Sequence, residues 1–142
     1  MFLSKSCEYA IRASVYLTHT SKAGRRAGII EIAEAIGSPV PFTGKILQTL
    51  TRKNILSSAK GPNGGFYMDN TLKLTLIDIV RAVDGNEMFT ACVMGLKECS
   101  DSEPCPIHHQ VRSIKHQLLL EFSRKSISEM VKDYEKHRYF LK

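Results

Sequence analysis

Between Cys92 and His109 the chain reads CVMGLKECSDSEPCPIHH and gathers three of its four cysteines. They are spaced C-x6-C-x5-C, and His108 follows the third at C-x2-H. Gly95, Pro104 and the interleaved serines and acids favour irregular backbone over helix or strand. Three thiols and an imidazole in one short loop form a donor set for a soft metal. Structural zinc uses tight C-x2-4-C hairpins, whereas iron–sulfur clusters are larger and are held by cysteine and sometimes histidine. The long gaps therefore predict an iron–sulfur centre on Cys92, Cys99 and Cys105, with His108 as a fourth-ligand candidate in the same chain and zinc or no metal as the alternative.

Residues 87–103 carry four acids against one lysine. Carboxylates disfavour thiolates, so three free thiols here are expected to have raised pKa values, and a bound cation would reverse that. A disulfide would leave one loop cysteine over. His109 projects about 100° from His108 on a helix, which argues against both ligating. Cys7 shares a helical face with Ile11 and Ser14, a pattern of buried packing. A cysteine–histidine pair could also be an enzyme's nucleophile, but no orienting third group or substrate-binding motif accompanies it.

The elements that must position this loop follow from the rest of the chain. At 142 residues, 43% hydrophobic and 24% charged, it reads as one globular domain. No stretch approaches the roughly 20 apolar residues of a membrane span, and no signal-peptide pattern opens the chain. A reducing cytoplasm, where clustered cysteines more often bind metal than pair, is the expected location. Residues 1–70 carry nine Lys/Arg against four Asp/Glu, residues 71–105 three against six, and residues 106–142 eight against four. That basic first half points to a polyanion, nucleic acid first.

Ser4 should cap a first helix running to about Lys22, apolar nearly all round apart from Lys5, Glu8, Arg12 and His19. KAGRRAG, 22–28, reads as a basic loop. A short helix over 29–36 ends at Gly37, and a second runs from about Pro41 to Lys53, with Ile46, Leu47 and Leu50 inward and Thr43, Lys45, Gln48, Thr49 and Arg52 outward. Two short helices around a tight turn make a helix-turn-helix. Residues 55–68, ILSSAKGPNGGFYM, then predict a β-hairpin wing with a basic, glycine-rich tip. Thr75 opens a helix over 76–83. After the cysteine loop, Pro106 suits the first turn of a long helix to about Arg124. Its stripe of Ile107, Val111, Ile114, Leu118 and Phe122, widened by Leu119 and Leu120, reads as a dimerisation surface. A capping box at Ser126–Glu129 starts a last helix to about Tyr134, and the tail KHRYFLK either packs or frays. The fold class is mainly α with a small β-wing: residues 1–70 read DNA, 71–105 hold a linker helix and the cysteine loop, and 106–142 carry the dimer and last helices.

LSKSCEYAIRA, EIAEAIG, KILQTL, SSAKGPNGGFYM and TLIDIVRAVDG, followed by the three-cysteine loop, together resemble the IscR/NsrR-type winged-helix regulators of bacteria, many of which sense through an iron–sulfur cluster. The resemblance implies a homodimer on a palindromic operator in double-stranded DNA, most simply a repressor, whose affinity follows a two-iron or four-iron cluster reporting iron–sulfur status, redox state or nitric oxide. Under it, the DNA contacts are Ser38, Pro41, Phe42, Thr43, Lys45 and Gln48, with Lys60, Gly61, Pro62, Asn63 and Gly64 at the wing. It also makes Glu8 of the partner subunit the rival to His108 as fourth ligand, set against a simple Glu8–Arg12 ion pair. Two positions depart from the family pattern: Gly44 replaces a bulkier polar residue, and Lys60 stands where arginine is usual. Control by cysteine oxidation or by a partner protein is the alternative within the same fold.

Overall fold

The computed structural model describes residues 2–137 and 141–142. Its centre is α1 (Lys5–Lys22), capped by Ser4, whose Oγ accepts the Cys7 N–H at 3.0 Å. Cys7, Ala10, Ala13 and Leu17 are fully buried, because four later helices and the second strand of the wing all pack on this helix. The small side chains let those neighbours approach closely. Ser14, Thr18 and Thr20 are buried too, and each hydroxyl donates to a carbonyl one turn back (Ala10, Ser14 and Leu17, at 2.8–3.2 Å). Buried hydroxyls therefore cost α1 no unpaired polar group.

α2 (Ile29–Ile36) ends at Gly37, whose φ of +67° is the left-handed cap that glycine adopts without a steric penalty. The Arg12 guanidinium donates to the Ile36 carbonyl at 3.2 Å and lies over the Tyr9 ring, so it closes the same helix end. α3 (Val40–Arg52) begins one residue earlier than the sequence suggests, with Pro39 before its first turn. Tyr9 meets Phe42 edge-on at 5.8 Å and fixes α3 to α1. Thr43 corrects the sequence expectation: it is fully buried and its hydroxyl donates to Pro39 O at 3.0 Å. Position 43 is three, four and seven residues before Ile46, Leu47 and Leu50, which places it on the inward stripe. Lys45, Gln48 and Arg52 face outward as expected.

The wing pairs β1 (Ser57–Ala59) with β2 (Gly65–Tyr67), antiparallel, in the register Ser57–Tyr67, Ser58–Phe66 and Ala59–Gly65. Ala27 adds two backbone bonds to Phe66, at 3.0 and 2.8 Å, tying the loop after α1 to the wing. Gly65, at φ +136°, lies so close to that loop that a Cβ would sit 2.8 Å from the Ala27 carbonyl oxygen.

α4 (Leu76–Val83) starts with a capping box between Thr75 and Asp78. A single unforeseen turn, α5 (Glu87–Thr90), precedes the cysteine loop. α6 (His108–Arg124) begins two residues later than Pro106, so His108 is its first residue. α7 (Ile127–His137) opens on the expected capping box, with Glu129 accepting from the Ser126 N–H at 2.8 Å and hydroxyl at 2.9 Å, and runs past Tyr134. Leu76 N–H donates to Lys125 O and Ile127 N–H to Leu74 O, both at 2.9 Å, so the starts of α4 and α7 lie side by side. Of the tail, Arg138, Tyr139 and Phe140 lie outside the described residues, while Leu141 packs against the core.

The close approach at Gly65 gives a test of the wing's attachment. Gly65→Ala should lower stability by about 1–3 kcal/mol through backbone strain and the clash with Ala27. Urea unfolding measures this; an unchanged midpoint would refute the contact.

Candidate metal centre and nucleic-acid interface

The cysteine loop is held at both ends. At its entry, Ser4 donates to Asp84 through its backbone N–H (2.9 Å) and its hydroxyl, fixing the end of α4 to the start of α1. Phe89 on α5 packs edge-on against Phe122 of α6 at 6.1 Å, and Phe2 meets the same ring at 6.3 Å. The loop turns at Cys92–Gly95, where Gly95 N–H donates to Cys92 O at 2.9 Å and Gly95 takes φ +70°. Lys115 of α6 donates to the Ala91 carbonyl. At the exit, His108 N–H donates to Cys105 O at 3.0 Å, turning the chain into α6.

His108 is the best-placed of the four predicted ligands. It is 3% exposed, and its two ring nitrogens face different partners. Nδ1 lies 3.4 Å from Cys99 Sγ, and Nε2 lies 2.9 Å from Asp101 Oδ1. Asp101 also pairs with Arg112, one turn along α6. The His108 bond, then the Arg112 bond, hold the Asp101 carboxyl below its usual range. A histidine whose far nitrogen is held by a carboxylate, with its near nitrogen towards a thiol, has the orientation of a metal-binding imidazole.

The Cys92 thiol is pushed down, first by the Leu96 N–H, then by the Met94 N–H. This corrects the expectation of a raised value: local amides outweigh the loop's acids at this sulfur. The structure thus brings Cys99 and His108 together, while among the described residues the one cluster of three or more possible ligand atoms is Asp101, His108 and His109, without a cysteine.

His109 also departs from expectation. Ligand atoms of Asp101, His108 and His109 all lie within 4.8 Å of one another, and the two imidazoles meet edge-on at 5.2 Å. The 100° offset holds for Cβ directions, but adjacent rings at a helix start can swing towards each other. Glu8 pairs with Lys5 at 2.8 Å, not with Arg12, which is engaged at Ile36 and Tyr9. Cys7 is fully buried as predicted, and burial, then Asp84, pushes its thiol up to about 12, so it is inert at neutral pH. Sequence reasoning missed Asp101 and Arg112. The signal available was the four-residue spacing of His108 and Arg112, which puts both over one acid.

The second site is the face of α3 with the wing. Pro41, Lys45 and Gln48 are exposed on α3, and Lys60, Gly61, Pro62 and Asn63 are exposed at the wing tip. Gly64 is partly covered, Phe42 is half-buried against Tyr9, and Ser38 is nearly buried at 8% exposure. A Cβ on Gly44 would meet nothing within 4 Å, so the helix presents bare backbone there. Thr43 does not reach this face. No helix among the described residues is long and apolar enough to cross a membrane.

Comparison with known proteins bears on the fold and the family. An HTH-type IscR of Escherichia coli O1:K1 is 24% identical over 136 residues, spanning 95% of this chain and 83% of the relative. An Aquifex aeolicus protein assigned by name to the HTH-type transcriptional regulators is 29% identical over 142 residues, 98% and 97% of the two chains. Among solved structures, T. potens IscR superimposes with a TM-score of 0.75 at 19% identity over 96% of this chain and 90% of that one. CymR, the global cysteine regulator of B. subtilis, gives 0.72 at 15% over 92% and 95%. At these identities the structural likeness shows the winged-helix fold alone. The family model Rrf2, described as an iron-dependent transcriptional regulator, matches residues 3–133. The chain is therefore a transcriptional regulator rather than an enzyme, and it belongs to the Rrf2 family.

Proposed function

We propose that this regulator is a cytoplasmic homodimeric repressor whose affinity for a palindromic operator follows an iron–sulfur cluster, two-iron in preference to four-iron, held by Cys92, Cys99, Cys105 and His108. The observation that carries the reading is the buried His108, set between Cys99 and Asp101. The donor set fits the group: three free thiols and an oriented imidazole in one short segment. A bound cluster would supply a centre responsive to oxidants, nitric oxide and iron supply. Glu8 serves less well as fourth ligand, because its carboxylate is paired with Lys5.

The protein's own residues link that centre to DNA. Drawing Cys99 and Cys92 towards Cys105 and His108 ties the loop to the first turn of α6. Ile107, just before α6, and Ile114, two turns along on the same side, are 45% and 64% exposed, apolar surface left for a second copy of the chain. Placement of α6 in a dimer sets the separation of the two α3 helices, which must match one DNA turn of roughly 34–36 Å. Loop release shifts the population between matching and mismatched dimers.

A second reading, control by thiol oxidation without metal, rests on the Cys92 thiol, held below its usual range, and pairs it with Cys105 of the same loop. A disulfide there forms as both thiols give up their protons and two electrons to an oxidant. Under that reading the anaerobic protein is colourless, and a thiol oxidant such as diamide changes its DNA affinity.

Three measurements test the proposal. Anaerobically purified protein should contain iron and acid-labile sulfide, and Cys99→Ala and His108→Ala should lose its visible absorption; iron-free, zinc-loaded protein from iron-replete cells would sink the cluster. Ile114→Glu should convert a sedimenting dimer to monomer, and an unchanged mass would remove α6 from the interface. Lys45→Ala and Lys60→Ala should each weaken duplex binding and lower the slope of log K against log salt by about 0.9 per lost phosphate contact. Unchanged affinity in both would remove α3 and the wing from the DNA surface.

A further inference from the structure

The sequence marks the segment between α1 and α2, KAGRRAG, only as a basic loop. The structure places it against the wing. Gly24, Arg25 and Arg26 line one side of an open cleft of about 520 Å³, and Pro62, Asn63 and Gly64 line the other. The Arg26 Nη1 donates to the Asn63 carbonyl at 3.3 Å, and its guanidinium lies over the Tyr67 ring at 5.1 Å. The next residue, Ala27, is bonded to Phe66 through both backbone groups. Arg26 is thus held through the main chain of its neighbour, by the Tyr67 ring and at one edge of its fork, yet it stays exposed.

We infer that Arg26 is a DNA-contacting residue: it supplies, from outside the wing, the guanidinium with which the wing tip grips the phosphates flanking the minor groove. This rests on the DNA-binding reading above and extends it to a segment outside α3 and the wing. The wing tip itself offers a lysine, Lys60, a point charge without a planar fork. Arginine has five N–H donors and favours the narrow, electronegative minor groove. One donor engages Asn63, and the Tyr67 ring beside the guanidinium narrows the directions in which the others project. Neighbouring Arg25 is less suited, because its guanidinium is 2.9 Å from Glu31, which also accepts from the Tyr16 hydroxyl at 2.7 Å. The cleft is open and continuous with the wing, which favours a duplex backbone over an enclosed small anion.

The test uses the full chain and a duplex that the wild-type protein selects from a random-sequence pool. Arg26→Ala should lower affinity about tenfold and reduce the salt slope by about 0.9, with thermal unfolding unchanged. Arg26→Lys should keep the salt slope but lose preference for A·T-rich flanks. If Lys60→Ala weakens binding while Arg26→Ala matches wild type, the inference fails and the DNA-binding reading stands. A fall in affinity with an unchanged salt slope would make Arg26 a brace for the wing and would also overturn it. If wild-type protein selects no duplex, both fall together.

Discussion

Burying α1 on every side is the constraint from which the rest of the structure follows. A helix can be enclosed only if its polar side chains find partners without water, and Ser14, Thr18 and Thr20 find them in their own helix. That leaves the outer surface of α1 to alanines, Leu17 and Cys7, against which α2, α3, α4 and α7 close. Two side chains at its edge then set the DNA-reading geometry: Tyr9 locates α3 through Phe42, and Arg12 closes the end of α2. Orientation of the reader is thus decided by the central helix more than by the turn between α2 and α3.

The cysteine loop obeys a different rule. It has few buried side chains, so packing contributes little and polar contacts do the positioning. His108 is the exception, and its burial comes from starting α6 beneath the loop. Asp101 reaches the imidazole from one side while Arg112 secures the acid from the next turn. A sulfur rests on the other nitrogen. Acids that seemed unfavourable for thiolates therefore serve a second purpose, because one of them orients the only imidazole buried in the loop.

Most of the fold was legible in the sequence because it is written in local chemistry. Ser4, Gly37, Thr75 with Asp78, and Ser126 with Glu129 mark helix ends through bonds spanning three or four residues, and the α2 and α4 bounds agree with those marks. Errors arose where a polar residue sits on a buried stripe. Thr43 reads as surface by residue type, but its position relative to Leu47 and Leu50 turns it inward, and a backbone bond to Pro39 makes that burial tolerable. The single turn of α5 carries too few residues to show periodicity. In the loop, the cysteine spacing pointed to the donor set, but the pairing of Cys99 with His108, the amides at Cys92 and the role of Asp101 depend on backbone turns that residue types do not encode.

The anchoring of the loop's two ends bears on how this architecture can vary. The chain leaves the core at Asp84, pinned to Ser4, and returns at Lys125 and Ile127, bonded to Leu76 and Leu74. Everything between those points, α5, the cysteine loop and α6, is an excursion whose exit and return are fixed independently of its length. Lengthening such a segment costs little, about 0.6 kcal/mol for each doubling of a flexible loop. Insertions, deletions and exchanged ligand spacings can therefore accumulate in this arm while the helices that read DNA keep their places, which makes the arm an exchangeable module on a constant reader.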